Sequence, residues 1–169
     1  APDTFKGCLD SVEVAEALAE GLRRGLPAKD IAIHPMSDGG DGSLKALAAN
    51  LPLQLHPCRL RSAWGATVET HWAEHKDQHW AYIESAVACG FQHLDGDPML
   101  ASTHGVGDLL RLVMDQGLRR VCIGLGGSAS TDGGAGALQA LGARLLDPQG
   151  HELPPGGGAL VNLDKIDPS

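Results

Sequence analysis

An α/β fold is predicted by three features of the sequence. Strand, glycine-rich loop and helix follow one another twice, over 31–50 and over 120–145. The stretch between, 53–84, alternates apolar with polar residues and carries Trp72, Trp80 and Tyr82, half of the chain's aromatics. Hydrophobic residues make up 43% of 169 positions, enough for one core or two small lobes. Such repeated units favour largely parallel pairing, and ligands of such sheets gather at the carboxyl ends of the strands, where both glycine loops fall.

The elements are justified in order. Asp10 followed by Glu13 is an N-cap with its capping-box partner, and Val14, Leu18, Gly21 and Leu22 recur at helical spacing, so a helix is expected over 11–24. "IAIHPM" (31–36) is β-branched and closed by Pro35, and reads as a strand feeding the loop "SDGGDGS". "SLKALAAN" (43–50) restarts a helix, with Leu44, Leu47 and Ala48 on one face. An antiparallel excursion fills 53–84, turning near "EHKDQ". In "STHGVGDLLRLVMDQG" the residues Val106, Leu109, Leu110 and Val113 define a helix that Gly117 ends. A strand over 120–125 leads into "GLGGSASTDGGAG" (124–136), and a last helix carries Leu138, Leu141 and Leu145. "PPGGG" (154–158) reads as a turn.

Composition narrows the function classes. A net charge of −8 argues against a general nucleic-acid or anionic-membrane binder, whose affinity comes from a basic surface. No stretch is long and apolar enough to span a bilayer, none reads as a signal peptide, and a cytoplasmic origin is expected. Cys8, Cys58, Cys89 and Cys122 show no C-x-x-C spacing, and no disulfides are expected. His71, His75 and His79 recur every four residues, but β-like flanks break any shared face, so a metal site is not expected there. His34 and His104, beside glycine loops, could touch substrate but as isolated histidines read as packed or solvated, and Arg59, Arg61, Arg111, Arg119 and Arg120 read as mostly surface, with one able to reach a phosphate.

The two glycine loops carry the chemistry. Gly126, Gly127, Gly133 and Gly134 let backbone amides approach a ligand, Ser128, Ser130 and Thr131 add hydroxyls, and the following helix offers N–H groups with a partial positive charge. Phosphate or carboxylate would suit that loop. It matches neither the P-loop nor the dinucleotide pattern, and turn chemistry alone also consumes glycine. In "SDGGDG", Asp38 and Asp41 flank Gly39 and Gly40, an arrangement that fits Mg²⁺ or a general base, or else two turn caps. In "APDTFKG", Asp3 and Lys6 lie on a loop ahead of a helix, where the lysine would offset phosphate charge or be solvated.

These motifs, taken together, resemble the type I glycerate kinase family. "APDTFKG" is similar to that family's A-P-D-S-F-K-G, "SDGGDGS" to A-D-G-G-E-G-T, and "GLGGSASTDGGAGALQALG" to G-I-G-G-S-A-T-x-D-G-G-x-G-x-x-Q-A-L-G. "YIESAVACGF" and "STHGVGDLLR" fall where the family has I-E-M-A-A-A-S-G-L and T-x-G-x-G-E-L-I-R. Ser37, Asp41 and Ser43 depart from the second pattern conservatively; Ser85 and Cys89 replace Met and Ser of the fourth. The resemblance implies two α/β lobes with mainly parallel strand–glycine loop–helix units, truncated here at both ends. Residues 1–61 would belong to a first, Rossmann-like lobe and 62–169 to the start of a second.

It also implies ATP-dependent phosphorylation of D-glycerate, with the 2-position favoured, and hence ATP, Mg²⁺ and a small hydroxy acid as partners. Positions 124–134 would bind ATP phosphate or the glycerate carboxylate, with Asp3, Gly39 and Gly40 contributing. Lys6 would offset negative charge. Asp38, with Asp41 or Asp132, would hold Mg²⁺ or accept the hydroxyl proton. The shortened chain would be inactive alone, for want of a closed interlobe cleft. Two alternatives stand beside this reading: a nonenzymatic nucleotide- or anion-binding module, and a Mg²⁺-dependent phosphohydrolase using the paired aspartates.

Overall fold

A computed structural model of the chain describes residues 1–5, 7–91 and 96–168. Helix α1 (Ser11–Gly25) starts as the sequence predicts: the Asp10 carboxylate accepts from the Val12 and Glu13 N–H groups at 3.0 Å, and Glu13 accepts from the Asp10 N–H at 2.8 Å. Its buried face is a strip of small residues, Ser11, Val14, Ala15 and Ala19, while Leu18 and Leu22 stay about half exposed.

The strand expected over 31–36 does not form. Met36 donates its N–H to the Pro2 carbonyl at 2.9 Å, but the segment joins neither sheet among the described residues. β-branched residues favour a strand only where a partner supplies a ladder, and here tertiary context withholds one. Helix α2 (Ser43–Asn50) does form, burying Ser43 and Ala46 deeply and the predicted Leu44, Leu47 and Ala48 only partly.

The antiparallel excursion is realised as β1 (Gln54–Arg61), β2 (Thr67–His75) and β3 (Trp80–Glu84). Residues 62–66 form the turn between β1 and β2, closed by the Ser62 N–H bond to the Ala66 carbonyl at 2.7 Å. The turn near "EHKDQ" is a helical turn at Lys76–Gln78, left through His79 at φ 51°. After β3 the chain passes through α3 (Ala86–Cys89) and α4 (His104–Asp115) and returns as β4 (Val121–Gly124), parallel to β3. The sheet order is β1-β2-β3-β4. Parallel pairing among the described residues is thus confined to β3 and β4, less than the repeated units predict, because 31–36 adds no strand.

The last predicted helix is shorter than expected. Helix α5 (Ala135–Ala140) stops because Gly142 takes φ 109°, a left-handed turn that glycine tolerates, and the Ala143 N–H bonds back to the Leu138 carbonyl at 3.0 Å. Leu138 and Leu141 are consequently exposed, and Leu145 is buried on β5 (Arg144–Leu146), paired antiparallel with β6 (Lys165–Asp167). The "PPGGG" turn leads into a tight helical segment, Gly157–Asn162.

Strand β3 organises the molecule, because its side chains alternate between two different environments. Ala81 and Ile83 enter an apolar core with Trp72, Val106, Leu109 and Val113, so that face is covered by α4. Tyr82 and Glu84 point the other way, to α2. Leu110, predicted inward, is only partly buried against this core.

Candidate functional site

Beyond the carboxyl ends of β3 and β4 lies a cleft of about 280 Å³. Thr4 and Gly7 of the N-terminal loop form one side of it, and Asp38, Gly40 and Asp41 another. Gly90 and Phe91, just after α3, and Gly127 of the second glycine loop complete the wall. Four of the sequence motifs therefore meet at one place, at the strand ends where an α/β sheet collects ligands.

Glycine here lets one backbone lie on another. A methyl group on Gly126 would stand 2.7 Å from the Gly40 Cα, and one on Gly39 would stand 3.2 Å from the Leu125 carbonyl oxygen. The two loops are thus packed main chain to main chain, which no side chain permits. Gly124 is equally confined, with the Tyr82 hydroxyl and the Gly39 carbonyl occupying the space a Cβ would need.

The helix starts behind both loops are filled by carboxylates of the chain, which at α5 departs from the expected anion site. The start of α2 is occupied by Glu84, which accepts from the Gly42 and Leu44 N–H groups, each at 2.9 Å, and from the Ser43 hydroxyl at 3.1 Å. Burial pushes the Glu84 carboxyl above its ordinary range, and these donors partly offset that. The start of α5 is occupied by Asp132, only 1% exposed, whose Oδ2 accepts from the Gly136 N–H at 3.0 Å and from the Thr103 N–H and hydroxyl at 2.8 and 3.0 Å. Its Oδ1 accepts from the Gly134 N–H at 3.2 Å. Both partial positive charges are therefore met by the chain's own carboxylates, and an anionic ligand has to use other amides.

The predicted residues divide accordingly. Asp38 and Asp41 line the cleft as exposed carboxylates, and the Asp38 Oδ1 is anchored by the Gly40 N–H at 2.8 Å. Gly39, Gly40, Gly126 and Gly127 lie at the loop contact or on the cleft wall. Ser128 is exposed and its hydroxyl accepts the Cys89 thiol at 3.8 Å; Ser130, half-buried, also lies beside that sulfur. Thr131 donates its hydroxyl to the Pro98 carbonyl at 2.9 Å, and Gly133 and Gly134 make the left-handed turn into α5. Asp3 is exposed and accepts from the neighbouring Thr4 N–H at 2.7 Å. Asp132, expected to handle Mg²⁺ or a proton, is a buried cap because four donors surround it. Lys6 lies outside the described residues.

Glu84 is the residue that sequence reasoning missed. Its signal is present in "HWAYIES", where a lone carboxylate ends an apolar strand and must find donors if the strand is buried.

Nothing among the described residues gathers three or more His, Cys, Asp or Glu side chains as a metal cage. Two carboxylates on one wall are the donor set Mg²⁺ takes when water and phosphate oxygens complete its shell.

Fold and cleft define an α/β protein whose carboxylate-bearing glycine loops meet at the end of a mixed sheet. The chain belongs to the glycerate kinase family, whose sequence profile matches residues 1–169. It is similar to the glycerate kinase of Bacillus subtilis (strain 168), 40% identical over 172 residues that cover 100% of this chain and 45% of that protein. It is likewise similar to the glycerate 2-kinase of Escherichia coli (strain K12), at 37% identity over 99% of this chain and 45% of that one. A crystal structure from Salmonella typhimurium LT2, assigned to glycerate kinase 2, superposes with a TM-score of 0.82 at 37% identity, over 99% of this chain and 46% of that one. The chain thus spans under half the length of these relatives. Among the described residues no helix is long and apolar enough to cross a membrane.

Proposed function

We propose that this protein phosphorylates D-glycerate with ATP, placing the phosphoryl group on the 2-hydroxyl. The observation that carries the reading is the cleft in which Asp38 and Asp41 face the second glycine loop, within a chain of the glycerate kinase family. The 2-position is supported by the name of the Escherichia coli relative, a glycerate 2-kinase. A cytoplasmic location suits such a small-molecule kinase.

Phosphoryl transfer asks a protein to place two oxygens in line with phosphorus and to neutralise charge. The glycerate hydroxyl oxygen bonds to the γ-phosphorus as the bond to the leaving ADP oxygen breaks, and the hydroxyl proton passes to a carboxylate. Asp38, held by Gly40, is our choice for that acceptor. Asp41, which lines the same cleft, would hold Mg²⁺, which screens phosphate charge when bound. Main-chain amides of Gly126 and Gly127 and the Ser128 hydroxyl would take an anionic group of a substrate, and Lys6 would add positive charge.

The test is phosphorus NMR on Mg-ATP and D-glycerate with a chain extended to the length of the relatives. A 2-phosphoglycerate signal is expected. Asp38→Asn should lower kcat by about 100-fold or more, the loss typical of a removed general base, with the melting temperature unchanged. Near-wild-type turnover in that variant would remove Asp38 from the mechanism. Release of inorganic phosphate would favour a phosphohydrolase, and ATP binding without turnover a binding module.

A further inference from the structure

The cleft's aspartates sit on a loop, and catalysis tolerates little looseness in the groups that position phosphate. Asp41 lies one residue before Gly42, whose N–H is bound to Glu84, so the exit of this loop is fastened to the end of β3. Glu84 is 2% exposed, and its three donors come from Gly42, which caps α2, and from Ser43 and Leu44 of its first turn. Burying a carboxylate is costly unless donors meet it, and an apolar residue would fill the same space with no such penalty. Here three donors meet it, and what the carboxylate does in return is hold those donors in place.

The fastening extends to the second loop. Tyr82, two residues earlier and on the same face of β3, donates its hydroxyl to Ser43 Oγ at 2.7 Å, and Ser43 donates in turn to Glu84. Gly124 lies directly over the Tyr82 hydroxyl, with no room for a side chain. The next residue of the strand end, Ser85, donates its N–H to the Gly124 carbonyl at 3.0 Å. The exit of one loop and the entry of the other are therefore keyed to three positions at the end of β3, Tyr82, Glu84 and Ser85.

We infer that Glu84, acting through Ser43 and Tyr82, is a positioning residue that fixes the Asp38–Asp41 loop against the second glycine loop and so sets the strength of divalent-metal binding in the cleft. This rests on the phosphotransfer reading for its consequence in turnover, but its structural half stands apart from it. Glu84→Gln keeps the size and one acceptor oxygen and loses the anionic second one. The Gly42 and Leu44 amides then compete for a weaker partner, and Asp41 drifts.

The experiment uses the extended chain and three readouts: Mn²⁺ binding by electron paramagnetic resonance with ADP present, amide exchange at Gly42 and Leu44, and steady-state kinetics. In Glu84→Gln, Mn²⁺ affinity should fall by about tenfold, the scale seen when a group supporting metal ligands is lost. Exchange at both amides should quicken, and KM for D-glycerate should stay within twofold. Ser43→Ala, a milder change should Glu84→Gln fail to fold, should shift the same readouts in the same direction by less. Faster exchange with unchanged Mn²⁺ affinity, in either variant, would overturn the inference, as would an equal loss in every kinetic parameter. Absence of phosphoglycerate from the wild type would sink the phosphotransfer reading alone, because the metal and exchange arms still report on Glu84.

Discussion

Helices α2 and α5 each begin directly behind a glycine loop, and at each a carboxylate of the chain occupies the helix start, at α5 in the place where an anionic ligand was expected. The two carboxylates come from different distances. Asp132 belongs to the loop it caps and reaches Gly134 and Gly136, two and four residues on. Glu84 is some forty positions from α2 along the chain and arrives on a different element. A local cap shapes its own turn, whereas a distant one ties two parts of the fold together. Asp132 also does some tying, because its second oxygen holds Thr103 at the start of α4. The lesson for the site is that an anion bound by these loops has to meet amides other than those of the two helix starts, which the proposed function assigns to the Gly126–Ser128 stretch.

Removing the local cap is the most damaging way to break this comparison. Asp132→Ala leaves the Thr103, Gly134 and Gly136 N–H groups without their acceptor in a buried setting, which should cost on the order of 3 kcal/mol, read by urea unfolding. Asp132→Asn, which keeps an acceptor oxygen, should recover part of that loss. Were Asp132 a catalytic carboxylate rather than a cap, Asp132→Asn would be stable and inactive.

The next largest effect is expected where the loops touch. Gly126→Ala places a methyl 2.8 Å from the Gly40 backbone nitrogen, so the loops have to separate, at about 1–3 kcal/mol, the usual cost of overpacking. Separation moves Gly127 away from Asp38 across the cleft. Turnover in the extended chain should fall more steeply than stability, and a variant with reduced stability but intact turnover would show that the loop contact is not part of the site.

Local features were legible in the sequence and distant ones were not. The Asp10–Glu13 capping box, the hairpin near "EHKDQ" and the Gly117 stop rest on residues within a few positions of one another, and each is realised. The 31–36 segment carries the local pattern of a strand, but a strand exists only through its neighbour. The end of α5 turned on Gly142, a signal present in the sequence but outweighed there by the leucine spacing of 138, 141 and 145. Asp38 and Asp41 are legible as candidates through the glycine loop they flank, and both line the cleft. Glu84 was passed over because a lone glutamate in "YIES" announces no partner; its donors are set by how α2 lies on β3, and that placement is a tertiary fact.

The third capped helix start sharpens the comparison with the smallest expected effect. Asp10 caps α1 at the surface, and besides its two backbone donors it pairs with Lys45 of α2. The Lys45 hydrogen bond, followed by the Glu13 and Val12 amides, holds the Asp10 carboxyl below its ordinary value. A carboxyl with a depressed folded value adds stability above its unfolded pKa and loses it as pH falls through the folded value. The contribution should therefore be complete at neutral pH and fade only below about pH 4. Asp10→Ala should lower the melting temperature less than Asp132→Ala does, since water can satisfy the freed amides at an exposed helix start. Added salt should weaken the Lys45 component in the wild type while leaving the Asp132 contribution unmoved, because screening acts on exposed pairs and hardly at all on a buried cap. Equal salt sensitivity at the two caps would mean that Asp132 is open to solvent, and with it the start of α5.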